Sequence, residues 1–261
     1  MKAKAKTIIK RYPALFVQGD RTQEIEDWVA VEGSYELYLN DTLVDTIVVS
    51  PADLEAHALG YVVTEGLVEP EEAEGVRQKR SRVFVKTHGR KDVPSPKTVL
   101  RSSAYRGSEG ASITPITTAV TVPSSLIVQC ARRIAEQAAN WEKSGGVHIS
   151  LLFDLEGELI KAAEDIGRHN SADKVVGYAL LHHISLHETI LVCSGRQPEG
   201  MVLKAARAGI PIVLTKAAVT DRGIEQADRL GVTLIGFART DRFTIYAHPE
   251  RVQVVSSPKT R

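Results

Sequence analysis

The sequence predicts an α/β sandwich that carries a smaller, β-rich lobe at its N-terminal end. In the second half of the chain, buried strand patterns alternate with amphipathic helix patterns. In the first half, apolar and polar residues mostly alternate as they do in half-buried strands. A stretch rich in Gly, Ser and Pro separates the two halves. We therefore divide the chain into a β-rich lobe with its loop, residues 1–115, and an α/β domain, residues 116–261.

The N-terminal lobe is expected to begin with a flexible arm over residues 1–25. The segment DWVAVEGSYELYLND, residues 27–41, alternates as a strand, and residues 42–50 can pair with it. Asn40 and Asp41 suit the turn between the two strands.

A helix is predicted next, with Ser50 as its N-cap, Pro51 at its first position and Asp53 two positions later. Residues 76–88, VRQKRSRVFVKTH, then alternate as a single charged edge strand.

The α/β domain is predicted to alternate strands with helices and to contain one hairpin, formed by residues 145–154 and 158–164. Helices are predicted over residues 123–140, 170–183, 197–209 and 219–231, and strands over residues 145–154, 158–164, 188–195, 210–215, 232–237 and 242–248.

Composition excludes several classes of function. With 33 basic and 32 acidic side chains, the formal net charge is +1, so a nucleic-acid partner is not expected. The two cysteines show no metal-ligand spacing, and no metal site is expected. No apolar run approaches 18 residues, so we expect a soluble, cytoplasmic protein without a membrane partner.

A strand-to-helix turn is the first candidate binding element. The strand predicted over residues 188–195 ends at Ser194, Gly195 and Arg196, directly before a helix. Such turns expose backbone N–H groups at the positive end of the helix dipole, and an Arg there can bind phosphate or carboxylate. An ordinary turn with a solvated Arg is the alternative interpretation.

The polar run EDIGRHNSADK, Glu164 to Lys174, is the second candidate. Asn170 can cap the following helix, with Asp173 completing a capping box. Arg168 and His169 would then lie just before the cap and face a ligand. The alternative is a helix start stabilised by the ion pairs Asp165–Arg168 and Asp173–Lys174.

A third strand ends in the segment Phe237, Ala238, Arg239, Thr240, Asp241 and Arg242. In open α/β sheets, ligands bind outside the carboxyl ends of strands, so this turn can join the other two in an anion pocket. His148 is interpreted as a core residue, and Lys204 and Lys216 as solvated charges.

The motifs SPADLEAHALGYVVTEGLV, GGVHISLL, EDIGRHNSADKVVGYAL, SGRQPEGMVLKAARAGIPIVLTKAAVT and GFARTDRFTIYAHPERV occur here in order. With them the chain resembles the FdhD family of formate dehydrogenase accessory proteins, from about residue 27 onward. The resemblance implies a cytidine-deaminase-like three-layer α/β/α sandwich without a zinc site, and a homodimer. It also implies that the protein carries sulfur from a cysteine desulfurase to a molybdenum (or tungsten) bis(pyranopterin guanine dinucleotide) cofactor. That cofactor then enters the formate dehydrogenase catalytic subunit.

The chain departs from this family at its sulfur-carrying loop. The resemblance implies a CxxC pair, but SSAYRGSEG has Ala104 and Gly107 at those positions. A persulfide carrier needs a thiolate. Three explanations remain open: Cys193 replaces the loop thiols, the protein binds and presents the cofactor without carrying sulfur, or it serves a sulfur-independent route.

The predicted ligand groups are therefore Arg168, His169, Asn170, Asp173, Ser194 to Arg196 and Phe237 to Arg242, with phosphate and guanine, as in GDP, as their target. Two rival functions stay open. One is an enzyme that acts on a nucleotide with His169 as acid or base, and the other is a scaffold between the desulfurase and the apo-dehydrogenase.

Overall fold

The computed structural model describes residues 7–88 and 113–254. Residues 104 and 107, where the resemblance places the carrier thiols, lie outside these ranges. The described chain forms a two-stranded arm, a four-stranded sheet with one helix, and a six-stranded sheet with helices on both faces.

The described part of the N-terminal arm is an ordered hairpin, so the expectation of a flexible arm is wrong for residues 9–25, whereas residues 1–6 lie outside the described ranges. Strands β1 (Ile9–Gln18) and β2 (Arg21–Ala30) pair antiparallel along their whole length. Gly19, with φ +60°, makes the tight turn between them. The two-residue link Gly19-Asp20, which is typical of a tight hairpin turn, was the signal that the prediction missed.

The β-rich lobe follows. Its sheet has the order β4-β3-β6-β5, and its strands are β3 (Gly33–Leu39), β4 (Thr42–Val49), β5 (Ala73–Lys79) and β6 (Arg82–Thr87). Asn40 and Asp41 form the β3–β4 turn with φ 47° and 67°, which confirms that prediction. The single strand predicted over residues 76–88 is two strands, because Arg80 turns the chain with φ 56°.

Helix α1 (Leu54–Thr64) covers one face of this sheet. Its N-cap is Asp53, so the prediction of Ser50 as cap is wrong. The backbone N–H of Ser50 instead donates to Asp165 at 2.9 Å, and its Oγ accepts from Ile166 N–H at 3.2 Å. Ser50 therefore joins the lobe to the larger sheet.

The six-stranded sheet has the order β13-β12-β11-β10-β8-β9, with β10, β11 and β12 parallel. The predicted strands and helices of this domain are confirmed to within a few residues at their ends. In chain order the elements are β7 (Val122–Pro123), α2 (Ser124–Gln137), α3 (Ala139–Ser144), β8 (His148–Asp154), β9 (Leu159–Asp165), α4 (Arg168–Leu181), β10 (Thr189–Cys193), α5 (Glu199–Arg207), β11 (Ile212–Thr215), α6 (Asp221–Leu230), β12 (Thr233–Gly236), β13 (Thr244–Ala247) and β14 (Val252–Gln253). The sequence did not predict α3, β7 or β14, and β7 and β14 pair with each other in a separate two-stranded sheet.

The two faces of this sheet bury separate cores, which makes the domain three layers. Leu152 and Val213 point to the core under α4, α5 and α6, whereas Leu151 and Leu214 point to the core under α2. The near-continuous apolar strands β10 and β11 reflect burial on both faces. Within the described residues, no helix combines the length and the apolar character that a membrane span needs.

Helices α1 and α4 cross in backbone contact and connect the lobe to the sandwich. A Cβ on Gly60 would overlap the carbonyl of Asp173, and a Cβ on Gly177 would lie 2.7 Å from the carbonyl carbon of Ala56. Only glycine, which has no Cβ, lets the two helix backbones come this close. The crossing therefore fixes the position of α4, including its first turn.

Candidate functional site

The carboxyl ends of three parallel strands lie side by side and form the edge at which the candidate site is built. The loop after β11 is bonded to β10, since Lys216 N–H donates to Cys193 O at 3.3 Å. The loop after β12 is bonded to β11, since Ala238 N–H donates to Thr215 O at 2.9 Å. The turns after β10 and β12, predicted as binding elements, therefore lie on one edge.

The turn after β10 is held from several sides. Ser194 Oγ accepts from the backbone N–H of Ile149 at 3.0 Å. The carbonyl of Gly195 accepts from Thr215 Oγ1 at 2.7 Å and from Gln197 Nε2 at 3.2 Å. These bonds restrain the backbone that presents the exposed side chain of Arg196.

Gly195 packs directly on the first turn of α4. A Cβ added to Gly195 would lie 3.1 Å from both Cβ and Cδ of Arg168 and 3.3 Å from His148 Nδ1. The α4 N-terminus and the β10 turn, 27 residues apart in sequence, thereby form one surface. Helix α4 begins at Arg168 after the N-cap Gly167, so the prediction of Asn170 as cap is wrong.

The two arginines of this surface repel each other. Burial, and after it the charge of Arg196, lowers the pKa of Arg168. Arg168 Nε is buried and has no hydrogen-bond partner among the described residues. Within those residues, neither Arg168 nor Arg196 forms an ion pair with a carboxylate. Such an arrangement favours an anionic ligand.

The turn after β12 adds further cations. Arg239 Nη1 donates to Lys216 O at 2.6 Å, and Arg239 N–H donates to Arg242 O at 2.8 Å. Lys216 is half-buried, and burial followed by the charge of Arg239 lowers its pKa. Lys216 is therefore only partly solvated. We call Arg168, Arg196, Lys216 and Arg239 the cationic cradle.

The other predicted members of this turn differ in exposure. Phe237 has the left-handed φ of 52° and an exposed ring, whereas Ala238 is buried. Thr240, Asp241 and Arg242 are exposed, and Thr240 O accepts from Arg132 Nη2 at 2.7 Å.

Two histidines lie beside the cradle. His148 Nδ1 is 3.4 Å from Ser194 Oγ, and burial followed by the charge of Arg168 lowers its pKa. His148 is half-buried, so it is a neighbour of the site rather than a core residue. Burial, and after it the charge of Lys204, lowers the pKa of His169 to about 3. His169 Nε2 is buried without a hydrogen-bond partner among the described residues.

Asn170 and Asp173 are buried, and their side chains bond to other groups of the fold. Asn170 Nδ2 donates to Asp165 at 2.8 Å and to Val48 O at 3.0 Å. Asp173 accepts from Lys204 at 2.9 Å and from Thr64 Oγ1 at 2.7 Å. The structure does not place either side chain where it would contact a ligand of the cradle.

The predicted local ion pairs are also wrong. Asp165 pairs with Lys174 at 2.6 Å instead of with Arg168, and Asp173 pairs with Lys204 instead of with Lys174. The interpretation of Lys204 as a solvated charge fails because its side chain is only 1% exposed. The sequence contained a signal for this burial. Lys204 follows Met201 by three residues on α5, and residues three apart share one face of a helix.

Neither cysteine is prepared for nucleophilic chemistry. Burial raises the pKa of Cys193 to about 11 and that of Cys130 to about 12. Both thiols are buried in the two cores that flank the sheet. Among residues 7–88 and 113–254, no group of three or more His, Cys, Asp or Glu is arranged to hold a metal ion.

Comparisons with known proteins place this chain in a family. The model of the FdhD/NarQ family matches residues 30–253. Protein FdhD of Methanocaldococcus jannaschii is 32% identical over 92% of this chain and 96% of its own length. The sulfur carrier protein FdhD of Bacillus subtilis is 31% identical over 91% of this chain and 95% of its own length. A crystal structure described as a formate dehydrogenase accessory protein, from Desulfotalea psychrophila, matches with a TM-score of 0.79 and 26% identity, covering 95% of this chain and all of that one.

Proposed function

The chain belongs to the FdhD/NarQ family, and from this premise we propose that it acts in the maturation of formate dehydrogenase. It binds a molybdenum or tungsten bis(pyranopterin guanine dinucleotide) cofactor in the cationic cradle and presents it to the dehydrogenase. The cofactor is cargo that passes through the protein. The names of the relatives support the general role, since they are FdhD proteins, sulfur carriers and a formate dehydrogenase accessory protein.

The contact between Gly195 and Arg168 is the observation that carries this proposal. It places Arg168 beside Arg196 with no carboxylate partner for either among the described residues. A diphosphate supplies the missing negative charge, and charge-assisted hydrogen bonds to it are about twice as strong as neutral ones. The buried, unbonded Nε of Arg168 fits the same ligand.

The β12 turn supplies groups for the guanine base. The exposed ring of Phe237 offers an apolar face on which a base can stack. The carboxylate of Asp241 is an acceptor that matches the N–H donors on the Watson–Crick edge of guanine. A diphosphate on Arg168 and Arg196 and a base beside Phe237 would use both halves of this edge.

The protein holds the cofactor without carrying sulfur on a thiol of its own. A persulfide carrier needs an accessible thiol with a lowered pKa. Cys130 and Cys193 are the only cysteines of the sequence, and burial raises the pKa of both. The hypothesis that Cys193 replaces Ala104 and Gly107 therefore finds no support in its environment.

The rival functions are less well supported. A general acid or base works best when its pKa lies near the operating pH, and the pKa of His169 is about 3. A pure scaffold does not need cations held side by side without counter-ions. The cysteine desulfurase and the formate dehydrogenase catalytic subunit remain the proposed partners, and a homodimer the proposed assembly.

Calorimetric titration with GDP tests the cradle. We expect saturable binding, at least tenfold weaker binding in Arg196→Ala, and unchanged binding in Arg229→Ala. Arg229 is a matched control because it is exposed in the last turn of α6, at the end of the helix opposite to the β11 loop. ADP should bind more weakly than GDP. Absence of binding, or equal binding by the two arginine variants, would overturn the proposal.

Complementation of a strain that lacks its accessory protein tests the sulfur step separately. We expect formate dehydrogenase activity with the native chain, and no requirement for Ala104→Cys with Gly107→Cys. If only this double variant restores activity, cofactor binding without sulfur carriage is not the function.

A further inference from the structure

A cavity of about 610 Å³ lies between the β-rich lobe and the sandwich, and we call it the amino-edge pocket. Its walls include Ala206, Ala208 and Gly209 at the end of α5, just before β11 begins. Ile116, which also lines it, donates its backbone N–H to Leu230 O, just before β12. The pocket therefore borders the amino ends of β11 and β12, whereas the cationic cradle lies at their carboxyl ends.

The lining of the amino-edge pocket combines apolar side chains with negative charge. Val63, Val68 and Ile113 supply apolar surface, and the carboxylates of Glu69 and Glu71 lie exposed at the rim. Helices α1 and α5 both end at the pocket, and the C-terminal end of a helix carries partial negative charge. The pocket therefore favours an apolar ligand that also carries positive charge.

The two rim carboxylates have no cationic partner in the described part of the chain. The side chain of Glu69 accepts from the backbone N–H of Glu72, which is not a charged group, and Glu71 forms no ion pair there. Arg207, which also lines the pocket, donates to Thr64 O at 3.1 Å. A cationic ligand at the rim would therefore find two carboxylates without counter-ions.

The chain itself has a segment of this chemistry, and both ends of the segment are fixed at the pocket. On its N-terminal side, His88 N–H donates to Glu72 O at 2.9 Å, one residue from Glu71. On its C-terminal side, Ile113 lines the pocket. Residues 89–112 lie between them and include five basic and two acidic side chains. The charge of the segment is therefore opposite to that of the rim.

We propose that residues 99–106, with the sequence VLRSSAYR, bind in the amino-edge pocket of their own chain. Leu100 and Tyr105 pack on the apolar wall, and the arginine that follows each of them pairs with a carboxylate of the rim. Residue 99 comes 11 residues after His88 and residue 105 comes eight before Ile113. At about 3.3 Å per residue, these connections can span about 36 Å and about 26 Å.

Covalent attachment on both sides makes this binding intramolecular. A linked group meets its site at an effective concentration on the order of millimolar, so even weak individual contacts keep the pocket filled. The stretch contains Ala104, one of the two positions at which the resemblance places a carrier thiol. This part of the chain therefore has a binding site of its own, at the edge of the sheet opposite to the cradle.

Limited proteolysis with chymotrypsin tests the docking, because this protease cuts after Leu100 and Tyr105. In the folded wild type, we expect both bonds to be cut at least tenfold more slowly than in a synthetic peptide of residues 93–110. Cleavage of a folded protein follows the population of the open form. Glu69→Lys with Glu71→Lys should therefore raise both rates close to those of the peptide.

Arg101→Glu with Arg106→Glu should have the same effect, measured against a peptide with the same two changes. Combining all four changes restores opposite charges and should restore the protection. Glu136→Lys with Glu142→Lys, at exposed positions on α2 and α3, is the matched control and should leave the segment protected. Circular dichroism shows whether each variant is folded.

Disulfide trapping identifies the chain that fills the pocket. Glu71→Cys with Arg101→Cys should oxidise to a disulfide within one chain, which runs at the monomer mass on a non-reducing gel with altered mobility. Cys130 and Cys193 are buried and do not compete. Glu136→Cys with Arg101→Cys should stay unlinked.

Four results would each overturn the proposal. They are wild-type cleavage at the rate of the peptide, unchanged protection in Glu69→Lys with Glu71→Lys, loss of protection in the four-fold variant, and absence of the disulfide within one chain. A disulfide-linked product of twice the chain mass would assign the pocket to a second copy instead and would also overturn it. GDP binding does not enter these tests, so the cradle and the pocket can fail independently.

Discussion

Lys204 Nζ lies 2.9 Å from Asp173 Oδ1, and both side chains are almost completely buried. Glu65 approaches the same ammonium group at 2.6 Å. One cation is therefore shared by two carboxylates at the junction of α1, α4 and α5. Although burial opposes it, the charges of Asp173 and Glu65 raise the pKa of Lys204 and keep it charged.

Lys204→Met should be strongly destabilising. It leaves Asp173 and Glu65 buried without a counter-ion, and breaking such a pair typically costs about 3–5 kcal/mol. Urea unfolding measures the loss. Lys143→Met, at an exposed position on α3, is the control and should change the free energy of unfolding by less than about 0.5 kcal/mol. Equal midpoints for the two variants would contradict this account.

Asp173 should make stability depend on pH. Burial raises its pKa to about 6 in the folded protein, although the charge of Lys204 opposes this shift and only Glu65 adds to it; the ordinary value in the unfolded chain is about 3.9. Between these values the folded state holds the proton more tightly. Stability should therefore rise as pH falls from 7 towards 4, by at most about 3 kcal/mol from this group.

The measurement is urea unfolding of wild type and Asp173→Asn at several pH values. The asparagine cannot titrate, so the difference between the two free energies of unfolding should grow in favour of the wild type below pH 6. A difference that stays constant between pH 4 and pH 7 would show that Asp173 keeps an ordinary pKa.

Gly177→Ala should destabilise the protein by forcing α1 away from α4. The added Cβ would lie 2.7 Å from both the Ala56 carbonyl carbon and the Gly60 nitrogen, and backbone atoms cannot rotate away. We expect a cost of about 3 kcal/mol in thermal or urea unfolding. Gly75→Ala, where a Cβ meets nothing within 4 Å, should be nearly neutral.

Gly195→Ala should weaken GDP binding more than it weakens the fold. A Cβ there would lie 3.1 Å from the Arg168 side chain, which can move aside at small cost. Arg168 would then leave its place beside Arg196. We expect at least fivefold weaker binding by calorimetry and a melting temperature within a few degrees of the wild type. Unchanged affinity would separate this contact from ligand binding.

Both cysteines should resist alkylation in the native protein. Cys130 and Cys193 are buried, and burial keeps both as thiols at pH 8. Mass spectrometry after iodoacetamide treatment should show no modification in buffer and two modifications in urea. Rapid alkylation of Cys193 in the folded protein would instead support its role as a sulfur carrier.

The sequence by itself determined the elements of the α/β domain and the location of its candidate site. Hydrophobic periodicity is a local property that reports which side of a strand or helix is buried. It therefore predicted β10, α5 and β11 closely. Parallel strands place their carboxyl ends on one edge, so the location of Arg196 and Arg239 on the same edge of the sheet followed from their order along the chain.

Only the tertiary structure decided the partners of the buried charges. From their positions in sequence, Asp173 was predicted to pair with Lys174. In the structure, α1 and α4 cross at Gly60 and Gly177, and Asp173 lies beside Lys204 and Glu65 instead. Ion pairs inside a protein depend on which helices meet, and that depends on contacts between residues far apart in sequence. Arg168 is a second example. The sequence predicted it as a residue before a helix cap, and only its contact with Gly195, which is distant in sequence, makes it a member of the cradle.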